Sequence, residues 1–109
     1  MTYNFVVPAE IVSAPSDEKT VEGSILKLHC NGTGNPKPNI TWTREGESSV
    51  LSTSETLELT NLNSEDNGVV YNCKVSNSLG FDEANATITV FCEYIVNNEN
   101  SRMCSCYSC

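Results

Sequence analysis

The sequence predicts an all-β fold built from short antiparallel strands, and three observations predict it. The stretch Leu62-Asn63-Ser64-Glu65-Asp66-Asn67-Gly68 is rich in turn formers and leads through Val69-Val70 into Tyr71-Asn72-Cys73-Lys74-Val75-Ser76. There Tyr71, Cys73 and Val75 alternate with Asn72, Lys74 and Ser76, the period of a half-buried strand. Other short runs alternate in the same way, with Gly, Pro, Asn and Asp between them.

Taken in order, residues 2–12 begin irregularly and enter a first strand around Glu10–Ser13. Pro8 and Pro15 fit an edge position, where a missing N–H is tolerated. Ser24–Asn31 is the next strand, with Leu26, Leu28 and Cys30 facing in and Lys27 and His29 facing out. Gly32–Pro38 reads as a loop by composition. Asn39–Arg44 follows, with Ile40 and Trp42 inward. Glu45–Ser54 is polar and predicts a turn with a short edge strand near Val50-Leu51. Thr56–Thr60 is a strand with Leu57 and Leu59 inward. After the turn and the strand at Tyr71, residues Asn77–Gly80 form a hairpin turn. Glu83–Phe91 is the last strand, with Ala84, Ala86, Ile88 and Val90 inward. Beyond Cys92 the alternation stops. Residues 93–109 hold a short apolar patch, Tyr94-Ile95-Val96, then a polar run and a cysteine cluster. The expected division is a linker over 1–7, one domain over 8–92, and a separable, disordered tail over 93–109.

One constellation is more specific than the periodicity. Trp42 follows Cys30 by 12 residues, and Cys73 is preceded two residues earlier by Tyr71. Around them stand Gly23, Leu28, Gly34-Asn35-Pro36-Lys37-Pro38, Leu57-Glu58-Leu59, Leu62, Asp66, Gly68 and Asn77-Ser78-Leu79-Gly80. On these residues the chain, from about residue 8 to residue 92, resembles an immunoglobulin-like domain of the I-set or C2 type. The resemblance implies two packed antiparallel sheets joined by a Cys30–Cys73 disulfide that packs on Trp42. It implies a core that includes Leu28, Leu59, Trp42 and Tyr71, and a hydrogen bond from the Tyr71 hydroxyl back to the preceding turn. Only 14 residues separate Trp42 from Leu57, too few for the extra strands of a variable-type domain. One departure stands out. The family pattern is Asp-x-Gly-x-Tyr-x-Cys, whereas Val69 and Val70 both lie between Gly68 and Tyr71. The extra residue is absorbed as a bulge or marks a C2-like subgroup. The cation that often pairs with the family's Asp is missing, since no Lys or Arg lies between Glu45 and Asp66.

The 109 residues suffice for one domain with a core of its own. Six basic against 14 acidic residues give a net charge of -8. That balance argues against nucleic acid, heparin or anionic membrane as partner, because those need a basic face. Six cysteines, an even number in a small chain, suggest an oxidising compartment. Three glycosylation sequons agree: Asn31-Gly32-Thr33, Asn39-Ile40-Thr41 and Asn85-Ala86-Thr87. Residues 1–12 lack the features of a signal peptide, and no stretch reaches the length of a membrane helix. An extracellular fold without either suggests a fragment of a larger protein.

Few residues offer reactive chemistry. His29 is the only histidine and has no partners for a catalytic triad, so it reads as a solvated surface residue. Glu65-Asp66 reads as a solvated turn, since a calcium loop needs several oxygen ligands at set spacings. No catalytic group and no cofactor are expected. The cluster Cys104-Ser105-Cys106-Tyr107-Ser108-Cys109, together with Cys92, leaves three readings open. They are a four-thiolate zinc site, disulfides within the tail or to another chain, and a truncated terminus; spacing does not fix connectivity.

The resemblance implies an extracellular recognition module of a cell-surface adhesion or receptor protein. It binds other proteins, inserts no segment of this chain into the membrane, and stands in tandem with similar domains. The alternative is a spacer in a tandem array of a matrix or muscle-type protein. By strand parity, all three sequons are expected at one end of the sandwich. A partner is then expected on the opposite sheet, around Lys27, Glu58 and Thr60, or at the far end near Gly46, Asp66 and Gly68.

Overall fold

The computed structural model describes residues 6–96 and 100–105, with side chains from Val6 to Phe91. In chain order its strands are β1 (Val7–Ser13), β2 (Glu18–Val21), β3 (Leu26–His29), β4 (Asn31–Asn35), β5 (Asn39–Arg44), β6 (Thr56–Leu59), β7 (Val70–Asn77), β8 (Gly80–Val96) and β9 (Asn100–Ser105). They make a sandwich of two layers. In the first layer β1 pairs with β4 and β3 pairs with β6, both antiparallel. β3 and β4 are one strand interrupted at Cys30, whose N–H donates to the Glu55 carbonyl at 2.9 Å. The second layer has the order β2-β8-β7-β5, antiparallel except for β2, which runs parallel to β8. The β7–β8 hairpin marks the upper end, and the turn at Asn63–Gly68 marks the lower end.

The period-two pattern explains the core. Tyr71, Cys73 and Val75 of β7 and Ala86, Ile88 and Val90 of β8 are buried against Leu28, Trp42, Leu57 and Leu62. Burying each large apolar side chain is worth about 1.5–3 kcal/mol before entropy. The Cys30–Cys73 disulfide joins the two layers, and Trp42 sits opposite Cys73 in the β5–β7 ladder. The bridge spans 43 residues, and chain entropy assigns a loop of that size about 4 kcal/mol. Trp42 is fully buried, yet its indole N–H donates to the Ser54 carbonyl at 2.9 Å. That bond removes the cost of an unpaired buried donor. Leu59 is only partly buried, because β6 is an edge strand, but it still packs on the core cluster.

The extra residue before Tyr71 is taken up at a bulge. Asn67 (φ −67°, ψ 127°) and Gly68 (φ +83°) are the central residues of a type II turn closed by Val69 N–H to the Asp66 carbonyl. Gly68 N–H then donates to the Ile88 carbonyl, and Ile88 N–H donates to the Val69 carbonyl. Gly68 and Val69 together therefore oppose one residue, the arrangement of a bulge with glycine in the left-handed region. Tyr71 is buried, but among the described residues its hydroxyl makes no hydrogen bond to this turn. The turn is closed from within instead. Asp66 Oδ2 accepts from Asn63 N–H, and Asn63 Oδ1 accepts from Glu65 N–H.

Several elements differ from the sequence-based expectation. The first strand starts at Val7 rather than Glu10. Gly32–Asn35, read as loop, continues the second strand as β4. A Cβ on Gly32 would lie 3.0 Å from Val75 Cγ1, so glycine lets β4 approach β7 closely. β2 was not expected at all, because Glu18-Lys19-Thr20-Val21 has no apolar alternation; its place is set by pairing with β8. The edge strand near Val50-Leu51 is reduced to a single bridge, Trp42 to Ser52. β8 begins at Gly80 and runs through Cys92 to Val96, and β9 pairs with it from Phe91↔Ser105 to Val96↔Asn100. Strand pairing thus continues past the point where the alternation was expected to stop. Cys106 and Cys109 lie outside the described residues.

Candidate recognition faces

Each layer presents one outward face. On the second layer the ladders align three rows: Asn39, Ser76 and Phe81; Thr41, Lys74 and Glu83; Thr43, Asn72 and Asn85. Lys74 Nζ lies 4.4 Å from the Phe81 ring centroid, a cation–π contact. Asn72 Nδ2 donates to Glu83 Oε2 at 3.1 Å. On the first layer the outward residues of β3 and β4 are Lys27, His29, Asn31 and Thr33. His29 Nδ1 and Thr56 Oγ1 are 3.0 Å apart, and Lys27 and Glu58 form an exposed ion pair at 4.0 Å.

Asn31, Asn39 and Asn85 are all exposed, but they do not share one end. Asn39 is at the upper end of β5. Asn85 faces Asn72, near the lower end of β7, because β8 starts three residues earlier than expected. With about 4.8 Å between strands and 3.4 Å per residue, Asn39 and Asn85 stand about 17 Å apart at opposite corners of one face. Asn31 lies on the other layer, opposite Ser13 of β1. The expectation that the sequons crowd one end is therefore corrected, and with it the idea that the first layer's outer face carries none.

The upper end holds a cluster that sequence reasoning missed. Asn77 Nδ2 donates to the carbonyls of Val7 (2.8 Å) and Pro36 (2.9 Å). Its Oδ1 accepts from the N–H groups of Ala9, Leu79 and Gly80. Asp82 Oδ2 accepts from Ile11 N–H at 2.9 Å. One asparagine and one aspartate thereby hang β1 on the β7–β8 hairpin. The only available signal was an Asn in a turn, which is common.

Reactive chemistry is sparse. Among the described residues no group of three His, Cys, Asp or Glu side chains could hold a metal ion. Burial pushes the Tyr71 phenol above its ordinary pKa, with Arg44 opposing and Asp66 and Glu47 adding to the shift. Such a phenol stays neutral in ordinary buffers. Among the described residues no helix is long and apolar enough to cross a membrane.

Two layers, an inter-layer disulfide on a buried tryptophan and polar outer faces define a domain built to present surfaces. The chain belongs to the immunoglobulin domain family, whose profile matches residues 8–77. It is 46% identical over 76 residues to Cell adhesion molecule 3 of Xenopus laevis, covering 66% of this chain and 18% of that protein. Among solved structures, Dpr2 Ig1-Ig2 in complex with DIP-Theta Ig1-Ig3 superposes with a TM-score of 0.71 at 28% identity, covering 81% of this chain and 34% of that one. The complex of Titin M10 with an Obscurin like 1 Ig domain gives a TM-score of 0.69 at 27% identity, covering 84% of this chain and all of that one. The chain spans less than a fifth of the curated relatives it matches.

Proposed function

We propose that this domain is a non-enzymatic, extracellular recognition module of a cell-surface adhesion or receptor protein, acting in tandem with similar domains. The observation that carries the reading is the exposure of all three sequon asparagines on a disulfide-bonded sandwich. Disulfides and N-linked glycans both belong to the secretory route. The relatives include an adhesion molecule and a growth factor receptor, which supports the same reading. Glycans at Asn39 and Asn85 would cover the second layer's face from opposite corners. A glycan at Asn31 would cover the upper half of the first layer's face. The surface left free is the lower half of the first layer, around Lys27, Glu58, Thr60 and the exposed Ile25, and protein partners bind there.

The second reading is a spacer in a tandem array, favoured by the likeness to titin domains. Secreted material decides between them. A mobility shift on enzymatic deglycosylation is expected, and unmodified asparagines at all three sites favour the spacer. In a binding assay on glycosylated material, Lys27→Glu or Glu58→Lys is expected to abolish partner binding, whereas Thr43→Arg or Lys74→Glu leaves it intact. The reverse result overturns the assigned surface.

A further inference from the structure

The Cys30–Cys73 bridge uses two of the six cysteines. The β8–β9 register sets two of the others, Cys92 and Cys104, directly opposite each other. Facing residues of antiparallel strands have Cα atoms about 4.5–5.5 Å apart. A disulfide takes Cα separations of about 4.4–6.8 Å. The backbone therefore meets the requirement for a bridge with neither strand displaced. The coincidence is specific to this register. A slip of one residue in either direction would oppose Cys92 to Met103 or Ser105 instead.

We infer that Cys92 and Cys104 form a second disulfide, which fastens β9 along β8 just past Val90, the last core residue of that strand. The inference uses the extracellular reading only for its oxidising compartment. The chemistry is thiol–disulfide exchange with a disulfide oxidant, either oxidised glutathione or an oxidoreductase carrying a disulfide. The thiolate of one cysteine attacks the oxidant, forms a mixed disulfide and expels a thiolate. The thiolate of the other then attacks the mixed disulfide and releases the second leaving thiolate. One Cys92–Cys104 bond forms, the oxidant's disulfide is reduced to two thiols, and the two cysteine protons end on those thiols.

Pairing by register also excludes the competing arrangements left open by the sequence. With Cys92 committed to Cys104, a zinc site using Cys92 cannot assemble, and Cys106 and Cys109 become the remaining pair.

The test uses the full 109-residue chain, oxidised with a glutathione redox pair, alkylated and cut by trypsin without reduction. Cleavage after Lys74 and Arg102 leaves Cys92 in fragment 75–102 and Cys104 in fragment 103–109. Only the fraction that carries the Cys30–Cys73 link is read, so failure of the fold is separated from failure of the inference. The two fragments are expected to be joined, and tandem fragmentation is expected to place the bond on Cys104. Alkylated Cys92, or Cys92 bonded to Cys106, Cys109 or a second chain, overturns the inference. A Cys92→Ser/Cys104→Ser variant is expected to keep the Cys30–Cys73 link and to lose amide protection over Glu93–Val96. Unchanged protection there would mean that no bridge fastens the ribbon.

Discussion

At the waist of the sandwich Cys30, Trp42 and Cys73 are wholly buried, while at the upper end β1 hangs from the side chains of Asn77 and Asp82. The waist is held by apolar packing and one covalent bond. Packing has no direction and many partners, so damage there spreads through the whole core. The upper end is held by hydrogen bonds of fixed geometry to named backbone atoms. β1 buries only Ala9 fully, and its pairing with β4 is interrupted by two register shifts. Damage there should stay local, since segments with few buried apolar contacts open independently of the core.

The sharpest way to break this comparison is at the waist. Trp42→Ala should cost about 3–5 kcal/mol, the range for emptying a large aromatic site. Urea titration should show one cooperative transition moved far to lower denaturant. Replacing both half-cystines, Cys30→Ala with Cys73→Ala, should cost about 4 kcal/mol in the chain-entropy account. A second transition in either variant would show that the waist does not unify the domain.

Asn77→Ala tests the other region. It leaves backbone groups of Val7, Ala9 and Pro36 without their partner, at about 1–3 kcal/mol for the more buried ones. Hydrogen exchange should rise at Val7–Ile11, with β3 and β7 protected as before. Equal loss of protection at the waist would erase the distinction between the two regions.

How much of each region was legible follows from the same contrast. Leu28, Trp42, Cys73, Val75, Ile88 and Val90 are marked by local alternation, which reads directly along the chain. Asn77 and Asp82 act on residues 68 and 71 positions away, so no local pattern reveals them. β4 was hidden because Gly32 and Gly34 look like loop residues until β7 is placed beside them. The sequon geometry failed by a small margin. A strand start moved from Glu83 to Gly80 carried Asn85 from the end of a face toward its far corner.

The smallest expected effect concerns Tyr71, between the waist and the lower turn. Its folded pKa is raised, chiefly by burial, above an unfolded value of about 10. The neutral phenol therefore contributes stability that is fully present below about pH 10 and lost as pH rises through the folded value. Tyr71→Phe should remove that alkaline loss. Denaturation midpoints of the two proteins, compared at neutral and strongly alkaline pH, should converge as pH rises. Parallel curves would show that the phenol does not sense its surroundings.

The parallel pairing of β2 with β8 has a mechanical consequence. The chain enters the sandwich at its upper end through β1, and β8 leaves at the lower end. Glu18 to Val21 lie alongside Ile88 to Phe91 in the same direction, and Glu22 N–H adds one more bond to the Phe91 carbonyl. Tension between the two ends would peel β1 first, then draw β2 upward and β8 downward. The two strands would slide along their shared length rather than part at one end. Every bond between them would carry load at the same moment, as in a lap joint. The domain would yield to a pull only when that whole set gave way together.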